Sequence, residues 1–295
     1  MKFLSAPTER TVCHSQADIS LEKVSVPTLR EMWNTAALMF LAPQMLLRYF
    51  APAGILGEGR YGKVICMKRR PEVTKLGWIN TRTRVVDKST DDCRVVKSNQ
   101  ALEAVAVKVM LNPAKNRQKF LRELRLHAFI TQQQQLRSVQ IVPLMAVLVD
   151  RRLKQVAAVL PLYSGGTLEE KLEIVNSRLS AAEQDRWMQR RWAEGDAVLQ
   201  WLHEVCGMVH GDAHPGNWYF DRPDGKMYLG DFGEARLRQE CCSVKTFLLL
   251  ASHERISFRY EMLADFGQRR LLGAKLGLLD HQIAKFECEK NEVVE

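Results

Sequence analysis

The segment Val209-His210-Gly211-Asp212-Ala213-His214-Pro215-Gly216-Asn217 sets a carboxylate five residues before an amide, and Gly230-Asp231-Phe232-Gly233 adds a second carboxylate nineteen residues after the first. Carboxylate and amide oxygens are the donors that a hard cation such as magnesium prefers. A further carboxylate at the same place can accept the proton of an attacking hydroxyl. Asp212 as base, with Asn217 and Asp231 as metal ligands, is therefore a set suited to magnesium-assisted phosphoryl transfer from a triphosphate. Each segment alone is a short polar motif of a kind that recurs by chance; their order and separation carry the reading.

Such residues act only if other elements hold a nucleotide beside them. From Ile55 the chain reads Leu56-Gly57-Glu58-Gly59-Arg60-Tyr61-Gly62-Lys63-Val64, a strand, turn and strand. Glycines at 57, 59 and 62 let backbone amides approach phosphate oxygens without side-chain collision, and Tyr61 at the tip would cover them. Val105-Ala106-Val107-Lys108-Val109 alternates like a strand, and residues 120–127 space their apolar side chains like a helix, with Glu123 on the face that meets the strand. Residues 140–150 and 155–163 read as two further strands turning at Arg151-Arg152. The glutamines from Gln132 to Gln135 read as a loop. Ser180-Ala181-Ala182-Glu183 is a capping-box signature that opens a helix carrying Trp187, Trp192, Leu199, Trp201 and Leu202 as core residues.

Taken together, these motifs resemble the protein kinase-like phosphotransferases. HGDAHPGN resembles the catalytic loop HRDxxxxN, DFG stands unaltered, the glycine segment follows GxGxxGxV, and VAVK matches VAIK. The approach Leu202-His203-Glu204-Val205-Cys206-Gly207-Met208-Val209-His210 is also similar to that of protein kinases, with one extra residue. The resemblance covers about residues 54–236 and implies an α+β, two-lobed fold: a β-rich N-lobe with one helix over 50–160, carrying an insertion near 68–102, and a reduced, mainly helical C-lobe over 161–295. It implies ATP and Mg2+ as cofactors, Lys108 on the inner phosphates held by Glu123, and Leu56, Val64 and Ala106 around the adenine. The Pro161 carbonyl and the Tyr163 N–H would recognise the adenine edge, while His210 and Phe232 pack internally.

Departures from the pattern bear on the acceptor. Gly211 stands where many protein kinases carry arginine, which removes the basic partner of a phosphorylated activation segment and makes control through Ser243 or Thr246 less expected. His214 replaces a lysine and would support the transferring phosphate or hydrogen-bond the loop; HGDxHPGN as a unit also resembles aminoglycoside and choline phosphotransferases. Sixty-two residues follow Gly233, so a short C-lobe is expected, with Ser252-His253-Glu254 in place of the APE motif and Asp265 as a carboxylate bracing the catalytic loop. The implied activity is a serine/threonine-protein kinase, with a small-molecule kinase and a nucleotide-binding pseudokinase scaffold as alternatives; the implied partners are ATP and a protein substrate or small-molecule acceptor.

Composition sets the remaining bounds. A chain of 295 residues with 46% hydrophobic residues is long enough to fill the cores of one two-lobed domain or of two small domains, and a net charge of +9 suits acidic ligands without choosing among them. The basic runs at 68–70, 151–152 and 190–191 are short and scattered, so they read as solvated faces and no specific nucleic-acid binding is expected. Seven cysteines without a CxxC pair exclude a disulfide framework and point to an intracellular, cytoplasmic or nuclear home. Residues 1–49 form an extension, polar first and then helical; 32–50 read as an amphipathic helix rather than a membrane span, because Asn34, Pro43, Gln44 and Arg48 interrupt the apolar run.

Overall fold

The computed structural model describes residues 39–59, 62–73, 103–111, 113–134, 139–150, 155–263 and 266–291. Tyr61, the Arg151-Arg152 turn, Asp265, and most of the extension and of the insertion lie outside these residues. The architecture is α+β. Strands β1 (Phe40–Leu41), β2 (Phe50–Glu58), β3 (Gly62–Arg69), β4 (Ala104–Met110), β5 (Ala146–Asp150) and β6 (Gln155–Pro161) form one mixed sheet in the order β1-β5-β6-β4-β3-β2. Only the β1 and β5 pair is parallel.

Alternation along β4 divides its side chains between two environments. Val105 and Val107 enter a core with Phe50, Met67 and Val159. Ala106 and Lys108 take the other face, where the register sets Val64 and Ala158 on either side of Lys108, and Cys66 and Leu160 on either side of Ala106. The insertion leaves and rejoins the sheet at neighbouring points, since Arg69 N donates to Glu103 O at 2.7 Å.

Two expectations for this half need correction. Of the helix expected over 32–50, the described part is β1 followed by the seven-residue helix α1 (Pro43–Tyr49). Proline opens α1 because its fixed φ and missing N–H suit only a first turn, and Phe50 at φ −131° already belongs to β2. Of the glutamine tract, Gln132 to Gln134 are helical and Gln135 lies outside the described residues: α2 (Pro113–Gln134) runs through Gln132 and Gln133, and Gln134 Nε2 donates to the carbonyls of Val139 and Ile141, both at 2.7 Å. Those bonds satisfy the returning chain, which makes the last turn of α2 worth keeping helical.

Beyond β6 come α3 (Leu168–Arg178), α4 (Ala181–Glu204), two short antiparallel hairpins, α5 (Val244–Met262) and α6 (Phe266–Asn291). The hairpins pair β7 (Met208–Val209) with β10 (Arg236–Leu237), and β8 (Trp218–Phe220) with β9 (Met227–Leu229). Thr167 and Glu170 form a reciprocal capping box on α3, and the Glu183 carboxylate accepts from Ser180 N at 2.9 Å to start α4 where expected. Ser243 Oγ accepts from Thr246 N at 3.1 Å and caps α5, while Thr246 is itself buried. The main core joins Phe120, Leu124 and Ile130 of α2 to Leu199 and Leu202 of α4, with Trp218, Leu229 and Phe232 between them. Arg190 is exposed as expected, but Arg191 is buried, with its guanidinium 5.0 Å from the Phe220 ring and bonded to Glu194 and the Gly225 carbonyl. A long side chain can enter a core when aromatic faces and acceptors receive its charge. Among the described residues no helix is long and apolar enough to cross a membrane.

Candidate active site

The two hairpins bring residues 210–217 against residues 230–233. Gly230 N donates to Asn217 O at 2.9 Å, and the His210 ring meets the Gly230 carbonyl through Nε2 at 2.9 Å. The Nε2 of His210 must carry the proton, because the carbonyl only accepts and Nδ1 accepts from Asp212 N at 3.3 Å. Burial holds this imidazole below its usual pKa and keeps it neutral. The Phe232 ring packs 4.9 Å from His210 and 5.0 Å from His127, so both His210 and Phe232 are internal packing residues.

Gly211 explains why no arginine follows His210. Its φ is +79°, and a Cβ there would stand 2.5 Å from the Glu234 carbonyl oxygen. Both the conformation and the space exclude a side chain. The turn is braced by Glu254 of α5, whose carboxylate accepts from His210 N at 3.0 Å and Gly211 N at 2.5 Å, and meets His203 Nε2 at 2.7 Å. Burial opposes the charge on Glu254, but His203 and these N–H groups outweigh it and hold the carboxyl below the usual glutamate range. Ser252-His253-Glu254, expected in place of the APE motif, lie in mid-helix, and Glu254 supplies the bracing carboxylate that was expected of Asp265, which lies outside the described residues.

Lys108 forms the centre of the site. Its Nζ lies 2.7 Å from Glu123 Oε1 and 2.8 Å from Asp231 Oδ1. Burial works against the ammonium, yet the two carboxylates hold it above the ordinary lysine range, so the charge is retained. Burial also pushes Asp231 up, and Lys108 more than reverses this, leaving the aspartate below its usual range. Asp231 has φ 60°, the one non-glycine residue with positive φ among those described. That conformation costs free energy and persists where neighbouring contacts over-determine it.

A cavity of about 280 Å³ lies between the sheet and the hairpins, walled by Leu56, Val64, Ala106, Pro161 and Tyr163, with Tyr219 and Gly230 opposite. It shares Val64, Lys108, Glu123 and Asp231 with a second cavity of about 180 Å³ that Gly59, Gly62 and Asp212 also line. The two form one cleft, apolar at the Leu56 end and charged at the Asp231 end. Tyr163 stacks on Tyr228 with centroids 4.7 Å apart, which fixes the wall of the apolar end. Asp212 also borders a third cavity, of about 450 Å³, with His214, Glu261 and Asp280.

Of the residues singled out from the sequence, Leu56, Gly59, Gly62, Val64, Ala106, Lys108, Glu123, Pro161, Tyr163, Asp212 and Asp231 meet at this cleft. Asn217 is buried beside it, its Nδ2 donating to Asp212 O at 2.8 Å and Asp212 Oδ2 at 3.3 Å. His214 Nε2 lies 3.8 Å from Asp212 Oδ2, and its Nδ1 accepts from Gly216 N at 3.1 Å, so the loop-bonding role expected for it is present. Gly57 is exposed on β2 and is absent from the walls of either cavity among the described residues; Tyr61 lies outside them. Among the described residues no cluster of three or more histidines, cysteines or acidic residues has a metal-holding arrangement, and an Asp, Asn pair for magnesium falls outside that description. Glu254 was missed as a brace. Its signal was an acidic residue at 254 within the apolar row Phe247, Ala251 and Phe258, which share one helical face. No protein-family model and no curated protein matches the chain.

Proposed function

We propose that this chain is an ATP- and magnesium-dependent phosphotransferase of the protein kinase-like class, transferring the γ-phosphate to a serine or threonine hydroxyl. In this reading the six-stranded sheet and α2 act as the smaller lobe, and the residues from 161 onward act as the larger, helical one. One observation carries it: a lysine ammonium held between two carboxylates, 2.7 and 2.8 Å away, at the junction of an apolar and a charged cavity. A purely structural ion pair has no need of a second carboxylate, nor of the left-handed backbone of Asp231 that presents it.

The donor set suits magnesium. Asp231 is kept ionised, and the nitrogen of Asn217 is committed to Asp212, which reserves the amide oxygen for a cation. Bound there, magnesium would neutralise charge on the β- and γ-phosphates as the phosphoryl group moves. The protein residues divide the remaining work. Lys108, shared between Glu123 and Asp231, contacts the inner phosphates. Gly59 and Gly62 let backbone approach them, and Leu56, Val64 and Ala106 enclose the adenine with Pro161 and Tyr163 at its edge. Asp212 orients and deprotonates the acceptor hydroxyl, while Asn217 and His214 hold its loop.

A second reading is favoured by the third cavity: its far wall includes Asp280 and Ile283 of α6, so the space beside Asp212 is bounded like a small-molecule pocket. A transfer assay with labelled ATP, offered a panel of proteins and of hydroxylated metabolites, separates the two. Asp212→Asn is expected to keep nucleotide binding while transfer falls by about 10²- to 10⁴-fold, and Asp231→Asn to weaken magnesium-dependent binding too. Equal transfer by wild type and both variants would reject the proposal. Nucleotide binding without transfer to either panel would assign the chain to the scaffold class.

A further inference from the structure

Helix α2 carries Glu123, and two other residues of that helix reach the chain that follows Asp231. Lys119 pairs with Glu234. One turn later Arg122 engages Glu240 in a fork, Nη2 to Oε2 at 2.5 Å and Nε to Oε1 at 3.3 Å. Glu240 is no loose surface carboxylate, because its Oε2 also accepts from Leu237 N at 2.7 Å and closes the turn Arg238–Glu240. Both pairs are partly exposed, with side-chain exposures of 33% to 49%, so screening leaves them worth little to folding. What they do is span two segments that each supply one carboxylate to Lys108: Glu123 from α2, and Asp231 just before Glu234.

We propose that Lys119–Glu234 and Arg122–Glu240 are a built-in clamp that keeps Glu123 and Asp231 together on Lys108, assembling the site without phosphorylation. Two independent features agree. Gly211 excludes a basic side chain that could meet a phosphate beside the catalytic loop, and the nearby hydroxyls are engaged otherwise, Ser243 as the α5 cap and Thr246 in the interior. Glu240 provides a permanent anion for Arg122 in place of a regulated one. These four side chains are positioning residues, acting through Glu123 and Asp231, and the inference rests on the phosphotransferase reading for its consequence but not for its geometry.

The test is charge reversal and exchange: Arg122→Glu, Glu240→Arg, and the two combined, on the full chain. Lys108 acylation by an N-hydroxysuccinimide ester, read by peptide mass spectrometry, reports directly on the clamp, since a lysine held between two carboxylates stays protonated and shielded. Each single variant should be acylated about fivefold faster at Lys108 and show a similar loss of kcat/KM for MgATP; the exchanged pair should restore most of both, and Arg122→Glu, which leaves the Glu240 bond to Leu237 N in place, should keep its melting temperature. Unchanged Lys108 reactivity in the single variants, or no restoration in the double, overturns the clamp. Reactivity that responds as stated in a protein that transfers no phosphate upholds the clamp and removes the phosphotransferase reading instead.

Discussion

Burial of His127 has a consequence that can be measured away from any catalytic assay. Its Nε2–H donates to the Val142 carbonyl at 2.6 Å, and desolvation lowers its pKa from 6.5 to about 4. As pH falls the unfolded chain takes up this proton first, so the stability present above pH 6.5 is lost progressively down to about 4, a drop of roughly 3 kcal/mol from this residue. His210 acts in the same direction. Urea titrations at several pH values should show the decline, and His127→Gln should lessen its slope by about one proton. An unchanged slope would mean that His127 is not buried in its neutral form. Glu254 has the opposite linkage. Its carboxyl is held low, so its contribution is intact above the ordinary glutamate pKa and lost as pH falls below it. Glu254→Ala strands a buried histidine and two backbone donors, which should cost about 3–5 kcal/mol in urea denaturation. Glu254→Gln, which keeps an acceptor, should cost less.

The contact between α4 and α5 is set by one missing side chain. A Cβ at Gly195 would stand 2.3 and 2.4 Å from two ring carbons of Phe258, which is itself buried against Trp218 with centroids 4.8 Å apart. Glycine in a helix interior is otherwise unfavourable by about 0.5–1 kcal/mol relative to alanine. Here overpacking should win: Gly195→Ala is expected to destabilise by about 1–3 kcal/mol, and thermal unfolding that shows stabilisation instead would refute the close approach. Arg255 and Asp196 bridge the same helices through two bonds of 2.6 and 2.7 Å, which fixes how far α5 can slide. That register matters for the cleft, since α5 also delivers Glu254 to the turn at His210 and Gly211. The sequence periodicity of α2 and α4 was legible because their apolar rows are long, and the capping residues at 180 and 183 marked the start of α4. The end of α2 was not legible from composition: a glutamine run reads as a loop by its low complexity, although glutamine is a good helix former, and the bonds from Gln134 to the carbonyls of Val139 and Ile141 depend on how the chain returns.

Across the molecule, ligand binding and folding are linked if the cleft takes a nucleotide. A nonhydrolysable ATP analogue with magnesium at a hundredfold over its Kd would add about 2.7 kcal/mol and raise Tm by roughly 5 °C. Lys108→Met should abolish that shift, measured against the variant's own ligand-free Tm, which falls because the buried Glu123 loses its partner. No shift in the wild-type protein would argue against nucleotide as the ligand. With a net charge of +9, the shift should also shrink as salt rises, more steeply than for a neutral ligand.

The order of the motifs determined which residue types could do chemistry, and the alternation around Lys108 determined that it would sit on a strand, because those properties are local and periodic. That Asp231 would join the expected Glu123 on that lysine, which carboxylate would brace the turn at His210 and Gly211, and why residue 211 must be glycine were decided only in three dimensions. Each depends on a partner far along the chain: Lys108 with Asp231, Glu254 with His203 and His210, Gly211 with Glu234. Proximity between such pairs is a product of packing, and no local preference encodes it.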